Sequence, residues 1–235
     1  MNINTANQTE PQDSHEAAFA SQNLPTALTP QLSAMGVEPA RVKWQTPKIP
    51  SGIVEVDRFF EGGLPQGALC EAGAPIGRGG REVVLRFLAE LTTRGISNEI
   101  GQKTPGWALW VHGHRDVAVY PPAWQSRGVN LERIRFASTA KPLEDLRPAF
   151  MEPFFKMIVI DSPERFSDED CAFVARMARL HKQSILLLRH FFLSPGRGNV
   201  WAKIRFNSSF EFSTKQYHLQ VVRGLSPRQT KFSLP

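Results

Sequence analysis

Residues Ser51–Glu82, SGIVEVDRFFEGGLPQGALCEAGAPIGRGGRE, constrain what this chain can fold into more than any other stretch. The order of residue types predicts a helix, a Gly-Gly turn, a strand, a glycine-rich loop and the start of a second helix. Val54, Val56, Phe59 and Phe60 supply an apolar face for the first helix. Gly62–Gly67 has the residue types of a turn, and Ala68–Ala72 is a short, mostly apolar run of buried-strand type. Gly73–Gly80 holds four glycines in eight residues. From Glu82 onward, Val83, Val84, Phe87, Leu88 and Leu91 recur with helical spacing and share a face. Strand, glycine loop and helix form the frame of a phosphate-binding loop, because bare backbone N–H groups and a helix N-terminus can cradle an anion there.

The chemistry inside that frame is missing. A working loop reads G-x-x-x-x-G-K-[ST], with Lys reaching the β/γ-phosphates and Ser/Thr holding Mg²⁺. Five residues after Gly73 stands Arg78. One extra residue puts Gly79 in the second glycine position, Gly80 in place of Lys and Arg81 in place of Ser/Thr. Arginine brings charge but no hydroxyl for a metal. Gly73, Gly77, Arg78, Gly79, Gly80 and Arg81, with Asp161 downstream, therefore read as the remnant of a nucleotide site. No metal, ATP or other cofactor is expected, and no catalytic residue is assigned.

The 235 residues support one domain of ordinary size plus a tail, and 41% hydrophobic residues suffice for a core. The net charge of +6 is unevenly distributed. Residues 1–40 carry four acids and no Lys or Arg, so this polar, Ala- and Pro-containing stretch reads as a disordered acidic tail. Residues 41–170 hold 17 charges of each sign; residues 171–235 hold eleven Lys/Arg against Glu211 alone. A basic C-terminal third is an electrostatic footprint for nucleic acid or an acidic partner. Cys70 and Cys171 lack metal spacing and read as core residues of a reducing compartment. With no signal-peptide pattern in residues 1–20 and no apolar run of membrane length, a cytoplasmic protein is expected.

Along the chain, 41–50 reads as a Pro-bounded linker, with Trp44 on the core, and the domain as 51–235. Beyond the loop helix 82–94 and a polar loop 96–106, Trp107–Val111 reads as a strand followed by His112, His114 and Asp116. A metal pair at the two histidines is not favoured, since no third ligand cluster accompanies them. A short helix around Trp124, a strand 133–137 and one helix 142–150 come next. Phe154–Ser162 is a continuous apolar strand ending in Asp161, the position of a Mg²⁺-linked acid in nucleotide-hydrolysing folds. Ser167–Asp170 is a capping box for a helix 168–182 that buries Phe173, Val174, Met177 and Leu180. Ser184–Arg189 reads as a central strand; 204–213, 217–223 and 231–234 alternate as antiparallel strands with one wet face. The fold class is α/β: a mostly parallel sheet flanked by helices and extended by C-terminal antiparallel strands.

The motif S-G-I-x-x-x-D-x-x-x-x-G-G-L-P-x-G of Ser51–Gly67, followed by a strand and a glycine loop, resembles the opening of the RecA-type recombinase core. Met157–Ser162 looks like that family's second phosphate motif, and Asn199–Ser213 with Leu219–Arg223 like its last strands. The departures match a lost ATPase: no Lys or Ser/Thr in the loop, only Asp116 near the catalytic-glutamate position, Arg189-His190 where a sensor glutamine would end its strand, and short DNA-binding loops. A RecA-like core of this size with a worn loop is similar to the ImuA family, the RecA-like accessories of bacterial mutagenesis cassettes.

That resemblance implies a non-catalytic adaptor in SOS-induced, error-prone translesion synthesis after DNA damage. Its implied partners are an ImuB-like inactive Y-family polymerase and the error-prone polymerase complex, with single-stranded DNA or RecA as further candidates and no membrane. Arg197, Lys203 and Arg205, taken as exposed, are the candidate contacts to DNA or partner. Two other readings stand beside it. One is an active RecA-type, DNA-dependent ATPase using Arg78 or Arg81 on phosphate and Asp161 with Asp116 on Mg²⁺ and water. The other is a SulA-like cell-division inhibitor.

Overall fold

A computed structural model describes residues 47–97, 102–113, 119–196 and 198–234 of the chain. The expected tail 1–40, Trp44, His114, Asp116 and Arg197 lie outside the described residues. From residue 47 on, the described residues belong to one compact unit, Thr46–Pro235. The described residues of the expected linker, 47–50, are already part of it, and two of them form β1 (Lys48–Ile49), which pairs antiparallel with β2 (Leu64–Pro65). Between them stands α1 (Val54–Phe59), entered through a knot of hydrogen bonds in which the Ser51 N–H and hydroxyl both donate to Asp57 Oδ1, at 2.6 and 2.8 Å. Ser51 and Asp57, the polar anchors of the opening motif, thus fix the entry angle of α1. Val56, Phe59 and Phe60 are buried as expected, but Val54 is exposed at the first turn.

The remaining strands are β3 (Ala68–Gly73), β4 (Ile96–Ser97), β5 (Lys103–Thr104), β6 (Trp107–His112), β7 (Ile134–Ser138), β8 (Phe155–Asp161), β9 (Ser184–Arg189), β10 (Ile204–Glu211), β11 (Gln216–Arg223) and β12 (Gln229–Phe232). The helices are α2 (Glu82–Thr93), α3 (Pro121–Gln125), α4 (Pro142–Asp145), α5 (Arg147–Met151) and α6 (Asp168–His181). Eight strands form one sheet in the order β12–β11–β10–β3–β9–β8–β6–β7. From β10 to β7 every neighbouring pair is parallel; β11 and β12 extend the sheet as an antiparallel meander. This is the α/β architecture expected of a RecA-like core.

Continuous apolar strands are required because both faces of the sheet are covered. Successive side chains point to opposite faces. Cys70, Trp110, Met157, Val159, Leu186 and Leu188 therefore join one core with α1 and α2, while Leu109, Val111, Ile158, Ile160, Ile185 and Leu187 join a second core under α6. In the first core Phe60 meets Phe59, Phe87 and Phe206 edge-on, with ring centroids 4.8, 5.5 and 4.9 Å apart. Among the described residues no helix is long and apolar enough to cross a membrane.

Four local expectations are corrected. The single helix 142–150 is two, because Pro148 lacks an N–H, clashes with the carbonyl four residues earlier and biases its predecessor away from helix. The polar loop 96–106 has ends that pair as β4 and β5. β10 pairs antiparallel with β11 as read, but it also runs parallel to β3, so its first residues are buried on both faces instead of leaving one face wet. On α6 the capping box forms as read, Ser167 Oγ accepting from the Asp170 N–H at 3.1 Å, and Val174 and Met177 are buried. The buried stripe nevertheless runs through Cys171, Val174, Ala175 and Ala178, and Leu180 is exposed. At about 100° per residue Leu180 falls opposite Cys171.

Candidate functional site

Ligands of open parallel sheets bind outside the carboxyl ends of the strands. Here β3 ends in the glycine loop, β8 in Asp161, β6 in His112 and β9 in Arg189, and the strand register places Gly73 opposite Arg189 and His112 opposite Asp161. The topology therefore brings the two halves of the sequence-derived remnant, 73–81 and 161, to one place. The loop reaches α2 through Gly77 and Gly79, both at positive φ (78° and 68°).

The loop is strapped to β10. The Phe210 N–H donates to Arg78 O at 2.6 Å, and the Ser208 hydroxyl donates to Gly80 O at 3.0 Å. The consequence is severe at Gly80, the position of the missing lysine. A Cβ there would lie 2.1 Å from Ser208 O, a backbone atom of a buried strand. No side chain fits at residue 80 without displacing β10, and at Gly79 a Cβ would lie 2.7 Å from Phe210 Cβ.

Arg81, where a metal-binding hydroxyl would stand, does not face outward to a phosphate. Its guanidinium turns in onto Asp161: Nε donates to both carboxylate oxygens at 3.2 Å and Nη2 to Oδ1 at 2.8 Å. Nη2 also donates to Ser162 Oγ at 2.7 Å, and Nη1 to Ala74 O at 2.5 Å. The Ser162 hydroxyl in turn donates to Asp161 Oδ1 at 2.9 Å, from a backbone at φ 49°. The Asp161 side chain is 2% exposed and that of Arg81 20%. A cation of this chain thus sits against the acid that, in a nucleotide-hydrolysing fold, serves Mg²⁺. The residues present do not fit a Mg-nucleotide: the metal-side acid is engaged on both oxygens, the hydroxyl position is an arginine, and the lysine position is sterically closed. Arg78 stays exposed, and Asp116 is not described.

The basic candidates separate. Lys203 is exposed. Arg205, expected on the surface, is buried at 3% exposure, its Nε donating to Glu71 Oε2 at 2.8 Å while Arg189 Nε donates to Glu71 Oε1 at 2.9 Å. Arg205 and Arg189 thus hold a buried carboxylate of β3 between two neighbouring strands, and Arg205 is a structural ion-pair member rather than a surface contact. Sequence reading passed over Glu71 because a lone acid in an apolar strand points to no partner until β9 and β10 are placed on either side of β3. Cys70 and Cys171 are buried and unpaired with each other, as read. Burial pushes both thiols up to about 12, against smaller opposing effects of the Ile204 backbone and Lys203 on Cys70 and of Arg189 on Cys171.

No family model and no curated protein sequence matches this chain.

Proposed function

We propose that this chain is a non-catalytic RecA-like adaptor of error-prone translesion synthesis. In this reading it works in the cytoplasm through contacts with an ImuB-type, polymerase-like partner. The opening motif at Ser51–Gly67 and the order of strands support the RecA-like part. One observation carries the non-catalytic part: the Arg81 guanidinium lies on Asp161 and is tied to Ala74 O and Ser162 Oγ. A fold that keeps the frame of a phosphate site and fills its metal side with its own arginine has uses for the frame other than turnover. The closed Gly80 position argues the same way.

The test is a thermal-shift titration with Mg-ATP, with and without single-stranded DNA, backed by phosphate-release assays. A ligand that binds only the native state stabilises it by about 2.7 kcal/mol at 100 times its dissociation constant. The expected result is no shift and no turnover in either condition. A saturable, Mg-dependent shift with hydrolysis lost in Asp161→Asn would instead establish the ATPase reading. Binding to the purified division tubulin homologue would favour a SulA-like role.

A further inference from the structure

The opposite end of the sheet, at the amino ends of the parallel strands, carries a groove of about 570 Å³. That volume is in the range of ligand pockets. It is lined by Gln66 ahead of β3, Arg179 and Lys182 at the end of α6, and Val200, Trp201 and Lys203 ahead of β10. It shares no residue with the Arg81–Asp161 site.

Three features mark it as built for a partner. First, Trp201 is 48% and Val200 67% exposed, yet the turn that displays them is braced. Arg223 Nη2 donates to the carbonyls of Asn199, Val200 and Ala202 at 3.1, 2.8 and 3.0 Å, and the Trp201 N–H donates to Asn199 Oδ1 at 3.0 Å. A large aromatic held outward on a pre-ordered turn loses little freedom on binding and is the side chain most enriched in binding hot spots. Second, Gln66 is only 7% exposed, and among the described residues its Nε2 has no hydrogen-bond partner. A buried amide donor left unmade costs free energy that an incoming carbonyl would recover. Third, among the described residues the lining holds Arg179, Lys182 and Lys203 and no acid.

We propose that this groove docks an extended acidic segment of a partner protein. An aromatic or branched aliphatic side chain of that segment packs on Trp201 and Val200, its carboxylates meet Arg179, Lys182 and Lys203, and one of its backbone carbonyls accepts from Gln66 Nε2. A peptide fits better than single-stranded nucleic acid, which needs cations tracking along a strand and successive stacking platforms. Here the cations gather at one groove with a single aromatic and a buried amide donor. The proposal rests on the adaptor reading, whose partner it describes by chemistry.

The test pans the full-length chain against a phage-displayed library of random peptides. The leading peptide is then synthesised and its affinity measured by fluorescence anisotropy. The expected result is enrichment of acidic sequences bearing an aromatic or aliphatic anchor. Affinity should fall about tenfold or more in Trp201→Ala and in Lys203→Glu, decline with salt, and stay unchanged in the exposed control Lys103→Ala. Both groove substitutions are at exposed positions, and circular dichroism of each variant checks that the fold is kept. No enrichment, enrichment of basic sequences, or binding indifferent to Trp201→Ala would overturn the proposal. So would displacement of the peptide by a thymidine oligonucleotide that itself needs Trp201, or self-association that Trp201→Ala abolishes, since these assign the groove to nucleic acid or to a second copy. Nucleotide turnover would sink the adaptor reading and leave peptide binding intact; an inert phosphate loop without peptide binding would sink only the groove.

Discussion

Replacing Arg81 by Ala isolates the interaction on which the functional reading turns. Asp161 is 2% exposed and would keep a single side-chain partner, the Ser162 hydroxyl at 2.9 Å. Removing one member of a buried ion pair leaves an uncompensated charge and costs about 3–5 kcal/mol, a large part of the roughly 5–15 kcal/mol that holds a domain folded. The reverse truncation, Asp161→Ala, is milder. Arg81 retains Ala74 O and Ser162 Oγ and is 20% exposed to water, so a cost of about 1–3 kcal/mol is expected. The double variant should be more stable than the sum of the two losses implies, by a coupling of about 2 kcal/mol. Urea unfolding followed by circular dichroism measures all four corners of the cycle, with an unchanged m-value showing that the transition is comparable. An Arg81→Ala loss under about 0.5 kcal/mol, or additivity within about 0.5 kcal/mol, would refute the claim that this pair closes the site.

Gly80→Ala should cost at least about 1–3 kcal/mol, since its Cβ would lie 2.1 Å from a carbonyl oxygen of β10; a neutral effect on the thermal midpoint would show that the lysine position is open. Glu71→Ala strands Arg189 and the buried Arg205 together and should destabilise by about 3–5 kcal/mol in denaturant unfolding, whereas a loss under about 1 kcal/mol would mean that the triad is solvated. Both thiols, pushed up to about 12 by burial, should be silent to a disulfide reagent at pH 8 in the native protein and react fully in urea. Because the folded chain holds these protons more tightly than the unfolded one, the thiols' contribution to stability should be flat below about pH 8.5 and fall as pH rises toward 12, by up to about 1.4 kcal/mol per pH unit for each thiol. Rapid native labelling at pH 8 would contradict that burial.

The sequence by itself determined most of the elements. Val83 to Leu91 recur at helical spacing because one stripe of α2 faces a sheet, and Ser167 with Asp170 announces the start of α6 because a helix N-terminus needs acceptors for its orphan N–H groups. The unbroken apolar runs of β8 and β9 announce a sheet covered on both sides, and the absent Gly-Lys-Ser/Thr chemistry is a matter of residue identity alone. Misreadings came where local pattern competes with packing. Leu180 has core character but stands opposite a stripe of Cys171, Val174, Ala175 and Ala178, whose small members carry a weak hydrophobic signal.

Tertiary structure alone decided what the charges do. Arg81 and Asp161 are 80 residues apart, Glu71 and Arg205 134 apart, and Gln66 and Trp201 share a groove only because α6 ends over the amino ends of β3 and β10. A charged side chain carries no period that names its partner. Whether it meets solvent, a phosphate or a buried carboxylate is fixed by strand order, and strand order follows from how the two cores divide the alternating faces of one sheet.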